Sequence, residues 1–319
     1  MTSIVADEES SSTGPPVTES FAAKTDPEVL LAVKEKYKGN ALPPLLAAAF
    51  DGALDDVKVL LEENEVDVNQ FGGEYHDTPL SCACCGGHTK VIELLLEQPT
   101  LEVNARTVKD DTALGEAARR GRAGAVKLLL GNPGIDVNVD GNYSCTPLHY
   151  ACCYGHPGVV AELLKHPAID VNVRNMDGET PLHTAVAHTM IGKVKAPVRE
   201  AIVELLLGHP GIQANMGTVG TGLSSLHYAA MNGHEGAVKK LLAHEPHIDA
   251  NAVDNNGHTP MEHAAAQGLD GIVQMLKGHS DAEGEMAGRD GKEKDKGEGT
   301  GHGGVGGAAA ASAMIDPEK

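Results

Sequence analysis

Histidine and cysteine are the residues whose types and spacing come nearest to chemistry in this chain. Cys85-x-x-His88 and Cys153-x-x-His156 each place a thiol and an imidazole where they can hold two ligands of one metal ion. A closed zinc site needs four ligands, and neither pair has two more beside it. His88, His156 and His234 each follow a glycine, and His149, His183 and His227 each stand third after a Thr or Ser. Recurrence at fixed positions reads as architecture, so these are taken as structural histidines and no metal site is expected. No phosphate loop, nucleophile elbow or paired-carboxylate pattern occurs, and Asp177-Gly178 reads as a turn. Catalytic residues and cofactors are therefore expected to be none, and the chain is expected not to be an enzyme.

What positions these residues is a repeat. Starts of the Thr-Pro-Leu type fall at Thr78, Thr112, Thr146 and Thr180, each 34 residues after the last, then at Ser224 and Thr259. A period of this size means stacked supersecondary units. In the unit beginning Thr146-Pro147-Leu148-His149, Thr146 caps a first helix and Pro147 fits its first turn, where no N–H is needed. Gly155 ends that helix, and Val159, Val160, Leu163 and Leu164 give a second helix one apolar face. Asp170-Val171-Asn172, followed by Asp177-Gly178, turns the chain towards the next start.

These elements, T-P-L-H, G-H, an aliphatic run and D-V-N, resemble those of the ankyrin repeat family. The resemblance covers residues 40–279. It implies an all-α repeat solenoid of stacked helix-turn-helix units with hairpin-like fingers and a concave binding groove. Seven repeats are expected, the first opening on Pro43-Pro44-Leu45 without Thr or His. Connectors such as Glu97 to Glu102 run one residue longer than the common family form. Eight extra residues interrupt the fifth repeat in the 189–200 region, which is locally basic and apolar; the stretch reads as a surface insertion or as a docking loop.

Residues 1–24, rich in Ser, Thr, Glu and Pro, are expected to be a disordered acidic tail. A short amphipathic helix within 25–39 is expected to cap the first repeat, and 280–319 reads as a disordered tail of Gly and charge. No basic segment precedes an apolar core near the N-terminus, and no run approaches the ~20 apolar residues of a membrane span. Cytoplasmic or nuclear residence is the expectation. Cys84 and Cys152 hold one repeat position two units apart, about 20 Å if helices pack at ~8 to 10 Å, too far to bridge.

The formal charge is -20, and residues 41–279 hold 29 acidic and 16 basic side chains, a net of -13. Phosphate backbones repel such a body, so nucleic acid is excluded as a partner and a protein with a basic or mixed surface is expected.

The two residues before each helix-breaking glycine, or its equivalent, should face the groove. They form the rows Phe50, Cys85, Arg119, Cys153, Ala187, Met231, Ala266 and Asp51, Gly86, Arg120, Tyr154, His188, Asn232, Gln267. Nine Phe and Tyr occur in all, and five fall on expected contact sites: Phe50 and Tyr154 on the rows, Phe71, Tyr75 and Tyr143 in the fingers. Aromatics and Arg are enriched in interface hot spots. The expected partner-binding residues are therefore Phe50, Asp51, Phe71, Tyr75, Arg119, Arg120, Tyr143, Cys153, Tyr154, His188, Met231 and Asn232. Arg119, Arg120, Cys153 and Tyr154 are read either as one patch for an acidic or aromatic group or as a solvated cluster neutralised by Asp110 and Asp111. The expected function is protein–protein interaction, as a scaffold, adaptor or inhibitor; the alternative is a structural subunit of a stable assembly.

Asn69, Asn104, Asn138 and Asn172 each have an acid two positions earlier, Val one earlier and Leu eight earlier. This resembles the ankyrin substrate pattern of the asparaginyl hydroxylase that acts on hypoxia-inducible factor, so these four are candidate hydroxylation sites. Asn215 and Asn251 break the pattern, through Gln213 and Ala243.

Overall fold

A computed structural model describes residues 26–63, 66–187, 194–244 and 248–293, with side chains as far as residue 281. Among the described residues there are fifteen α-helices and no strand, only isolated bridges at Gly72 with Asp77 and Gly217 with Ser224. The chain divides at Met176 into two units.

In the first unit, α1 (Pro27–Lys36) precedes four helix pairs: α2 (Pro44–Asp51) and α3 (Leu54–Leu61), α4 (Pro79–Gly86) and α5 (Thr89–Leu96), α6 (Ala113–Arg119) and α7 (Ala123–Leu130), α8 (Pro147–Tyr154) and α9 (Pro157–Leu163). First helices stack as α2–α4–α6–α8 and second helices as α3–α5–α7–α9, with α1 against α3. That last contact is polar as well as apolar: Val33 and Tyr37 are buried, and the Tyr37 hydroxyl donates to Asp56 Oδ2 at 2.8 Å. In the second unit, α10 (Pro181–Val186), α12 (Ser225–Met231) and α14 (Pro260–Ala266) form one layer, and α11 (Ala196–Leu207), α13 (Glu235–Leu242) and α15 (Asp270–Glu293) the other.

Local chemistry starts and stops these helices. Thr78 Oγ1 accepts from Ser81 N at 3.1 Å while Ser81 Oγ accepts from Thr78 N at 2.9 Å, so two otherwise unpaired donors are satisfied together. Gly52, Gly87 and Gly155 end α2, α4 and α8 in the left-handed conformation. Small residues at the inner layer, such as Ala83, Ala117 and Ala151, are fully buried and let helices approach closely, while Ile92, Leu129 and Leu163 fill the space behind them. Truncating Leu129 to Ala would cost about 2 to 5 kcal/mol.

Polar side chains stitch each repeat to its neighbour. Asn69 donates from Nδ2 to Thr100 O at 2.7 Å and accepts at Oδ1 from Glu102 N at 2.8 Å; Asn104 and Asn138 repeat this with Gly134 O and Asp136 N, and with Ala168 O and Asp170 N. His183 accepts at Nδ1 from Thr180 N and donates from Nε2 to Leu223 O, and His227 does the same with Ser224 N and His258 O. Recurring histidines are therefore caps and cross-repeat ties.

Two expected boundaries differ. The last helix runs on to Glu293, past the position where a disordered tail was expected to begin at 280. In the irregular fifth repeat, residues 189–193 lie outside the described residues, but 196–200 belong to α11, which at 12 residues is longer than the other second helices of regular repeats; part of the insertion extends a helix. Residues 1–24 and 294–319, from the stretches read as tails, are also outside the described residues, as is residue 25 of the capping segment.

Candidate partner-binding surface

The fingers of the first unit carry a backbone feature that those of the second lack. Two positions before each Thr or Ser cap, the chain turns with positive φ. In the second unit and its entry turn this residue is Gly178, Gly222 or Gly257, at φ 73, 73 and 83°. In the first unit it is His76, Asp110 or Ser144, at φ 50, 63 and 53°, and Tyr143 beside the last of these has φ 58°. A side chain in this region costs roughly 1 to 2 kcal/mol, and such costs gather at functional sites.

The fingers are tied tip to tip. Val108 N donates to Tyr75 O at 3.1 Å, and Met176 N donates to Tyr143 O at 3.0 Å. Arg106 bridges the next finger through Asp140 Oδ1 at 3.0 Å and pairs with Asp110 at 3.1 Å on its own. The tips held this way leave Phe71, Tyr75, Val108, Tyr143 and Met176 exposed.

Between these fingers and the inner helices lies a cavity of about 400 Å³, bordered by Phe50, Tyr75, Asp77, Cys85, Thr107, Lys109, Glu116, Arg119 and Arg120, among others. Lys109 Nζ sits 3.3 Å from the centre of the Tyr75 ring, a cation–π contact on the finger wall. On the floor, Glu116 accepts from Arg120 Nε at 2.9 Å and pairs with Arg119 as well. Burial alone would push the Glu116 carboxyl up; the guanidinium groups of Arg119 and Arg120 outweigh it and hold the carboxyl below its usual range. Asp77 is shifted the other way, raised by burial and by the Glu116 charge. Burial and the Glu116 charge also raise the Cys85 thiol, which makes it a poor nucleophile.

All but one of the sequence-predicted contact residues lie among the described residues. Phe50 and Asp51 are exposed at the end of α2, and Phe71, Tyr75 and Tyr143 are exposed on fingers. Arg119 is half-buried and Arg120 exposed, and Glu116, not Asp110 or Asp111, neutralises them; Asp110 pairs with Arg106, and Asp111 accepts from the Tyr150 hydroxyl at 2.6 Å. Cys153 and Tyr154 are half-buried on α8 and do not line the cavity, which instead groups the two arginines with Phe50, Tyr75 and Cys85 of earlier repeats. Met231 is half-buried, and Asn232 donates to Val186 O at 3.3 Å, a cross-repeat tie that occupies its amide. His188 lies outside the described residues. Reading by rows missed Lys109, Thr107 and Glu116; the Glu-x-x-Arg-Arg spacing on α6 was the signal for the last of these.

The Cys-x-x-His pairs hold no shared ligand geometry. His88 Nε2 meets Phe50 O at 2.9 Å and His156 Nε2 meets Arg119 O at 3.1 Å, while all six cysteines are free thiols. Among the described residues, the side chains whose donor atoms do converge for a metal are Asp254, His258 and His263. No helix of the described residues is long and apolar enough to cross a membrane.

Comparison with curated proteins returns no match. Comparison with protein families matches ankyrin repeats (3 copies) over residues 45–140, 138–215 and 194–285. With capped helix pairs, cross-repeat Asn and His ties and tip-bonded fingers recurring through that span, the chain belongs to the ankyrin repeat family.

Proposed function

We propose that the first unit binds a protein partner along its finger edge and in the cavity bordered by Phe50, Tyr75, Arg119 and Arg120. Ankyrin repeats are generally protein–protein interaction modules, and this surface suits that use better than catalysis. The observation that carries the reading is the collection of exposed apolar side chains on fingers held by strained, non-glycine turns. Large exposed apolar groups clustered on one edge mark interaction surfaces, whereas scattered ones do not. An arginine pair preorganised by Glu116 offers charge-assisted donors beside flat aromatic surface.

The chemistry selects a protein partner that presents apolar side chains with an acidic or aromatic group at the centre and a mixed or basic periphery. The acidic excess of the chain opposes nucleic acid. In this role the protein acts as a scaffold, adaptor or inhibitor of cytoplasmic or nuclear partners. Tagged full-length protein recovered from its native cell, with its partners' stoichiometry measured, supplies the test ligand. Phe50→Ala, Tyr75→Ala and Arg120→Ala should each weaken binding by more than about 1 kcal/mol by titration calorimetry, and Gln267→Ala should do little. Unchanged affinity in all three of the first group places the interface elsewhere.

A further inference from the structure

We propose that Asp254, His258 and His263 form a binding site for one divalent transition-metal cation of the zinc class, which clamps the last finger to the first helix of the last repeat. Asp254 and His258 belong to the finger, and His263 lies in the first turns of α14. Asp254 Oδ2 is 2.9 Å from His263 Nε2, and Asp254 Oδ1 is 3.9 Å from His258 Nδ1; the three donor atoms all lie within 4.8 Å of one another. Ligands at ~2.0 to 2.2 Å from a tetrahedral ion stand about 3.3 Å apart, a value these separations bracket. A small turn of one ring closes the set.

The parts that must be fixed are fixed, and the part that must move is free. Asp254 is 2% exposed at its side chain and is anchored by Asn256 N and His258 N, which donate to Oδ1 at 2.8 and 2.9 Å. The His258 side chain is 58% exposed and its ring faces solvent. Behind the site, the rings of His258 and His227 each meet the His263 ring edge-on at 5.7 Å, and His227 Nε2 is already committed to His258 O. His227 is thus a wall and not a ligand.

Ligand types select the ion. Two imidazoles and one carboxylate suit zinc, cobalt, nickel or copper, whereas calcium and magnesium take oxygen-rich shells. Three protein ligands leave a position open to solvent, so the bound ion stays exchangeable. The arrangement is also particular to this repeat. The corresponding positions are Thr107, Asp111 and Glu116 in the third and Val219, Leu223 and Tyr228 in the sixth, and neither set contains an imidazole. His88, His156, His183 and His227 tie repeats together; here two histidines face one carboxylate.

The test uses the full chain and cobalt or zinc chloride, with cobalt absorption and calorimetry as readouts. Wild type should bind one ion saturably. His258→Gln, at an exposed position, and His263→Gln should each bind at least about tenfold more weakly, while His244→Gln should match wild type. Zinc should raise the thermal midpoint of wild type but not of His258→Gln, and should slow amide exchange in residues 254–266. If His263→Gln does not fold, His258→Gln decides alone. Absence of saturable binding, or equal affinity in wild type and His258→Gln, overturns the site and assigns any uptake to the other surface histidines.

Discussion

A β-carbon on Gly121 would stand 2.6 Å from Nδ1 of His156, the ring of the following repeat whose Nε2 meets Arg119 O at 3.1 Å. Gly121 ends α6 at φ 71°, so its lack of a side chain serves the local turn and the neighbouring repeat together. Gly52 and His88 repeat the relationship through Phe50 O. Gly268 has the same backbone, φ 70°, with nothing within 4 Å of a built β-carbon. Gly121→Ala should therefore cost about 2 to 4 kcal/mol and Gly268→Ala only about 1 to 2 kcal/mol. Urea unfolding of the two variants compares them directly; equal losses would mean that the histidine contact carries no weight.

Finger strain makes the opposite prediction. Ser144 at φ 53° occupies the position that Gly178, Gly222 and Gly257 hold elsewhere. Ser144→Gly should stabilise the protein by about 0.5 to 1 kcal/mol, the left-handed cost recovered less the added entropy of the unfolded chain. Asp110→Gly should gain less, because it also loses the ion pair with Arg106. If the strain serves binding, Ser144→Gly should at the same time weaken the partner complex. Thermal melts and partner titrations on one preparation measure both, and destabilisation by Ser144→Gly would count against the turn as a site of strain.

Acid titration separates two carboxylates of the cavity. Glu116 has a folded pKa below its ordinary value of 4.5, so its contribution is present above that value and lost as pH falls through the lower folded one. Glu116→Gln should cost about 1 to 3 kcal/mol at neutral pH, with the gap to wild type closing in acid. Asp77 is raised above 3.8, so its ionised form is disfavoured in the fold; Asp77→Asn should stabilise at neutral pH, and that gain should fade as pH falls towards 3.8. Denaturant midpoints across pH 3 to 7 read both, and a gap that does not change with pH in either variant would contradict its assignment.

Asparagine modification is predicted at four sites. The amides of Asn69, Asn104 and Asn138 are each engaged at both ends with the next repeat, and Asn215 Oδ1 also accepts, from Asp249 N at 3.0 Å. Folded geometry therefore does not separate Asn215 from the others, and the flanking acid and Leu must. Incubation with the asparaginyl hydroxylase of hypoxia-inducible factor and peptide mass mapping should show a gain of one oxygen at Asn69, Asn104, Asn138 and Asn172. A signal confined to Asn215 or Asn251 would reverse the rule.

Helix positions were legible in the sequence because their causes are local: Thr78 caps a donor three residues away, Pro147 needs no N–H, and Gly155 supplies its own left-handed turn. Local too were the histidine caps and the Asn turns, since the period repeats their setting each time. Only tertiary structure decided what lined the cavity, because Phe50, Cys85 and Arg120 are each separated by a whole repeat and meet through stacking, with Tyr75 reaching in from a finger. The arginine pair shows the limit most clearly: Asp110 and Asp111 are near in sequence, yet Arg106 and Tyr150, reaching from other positions, engage them first and leave Glu116 to Arg119 and Arg120. Asp254, His258 and His263 are close in sequence, yet their spacing crosses from a finger into a helix, and their convergence comes from the turn that folds one against the other.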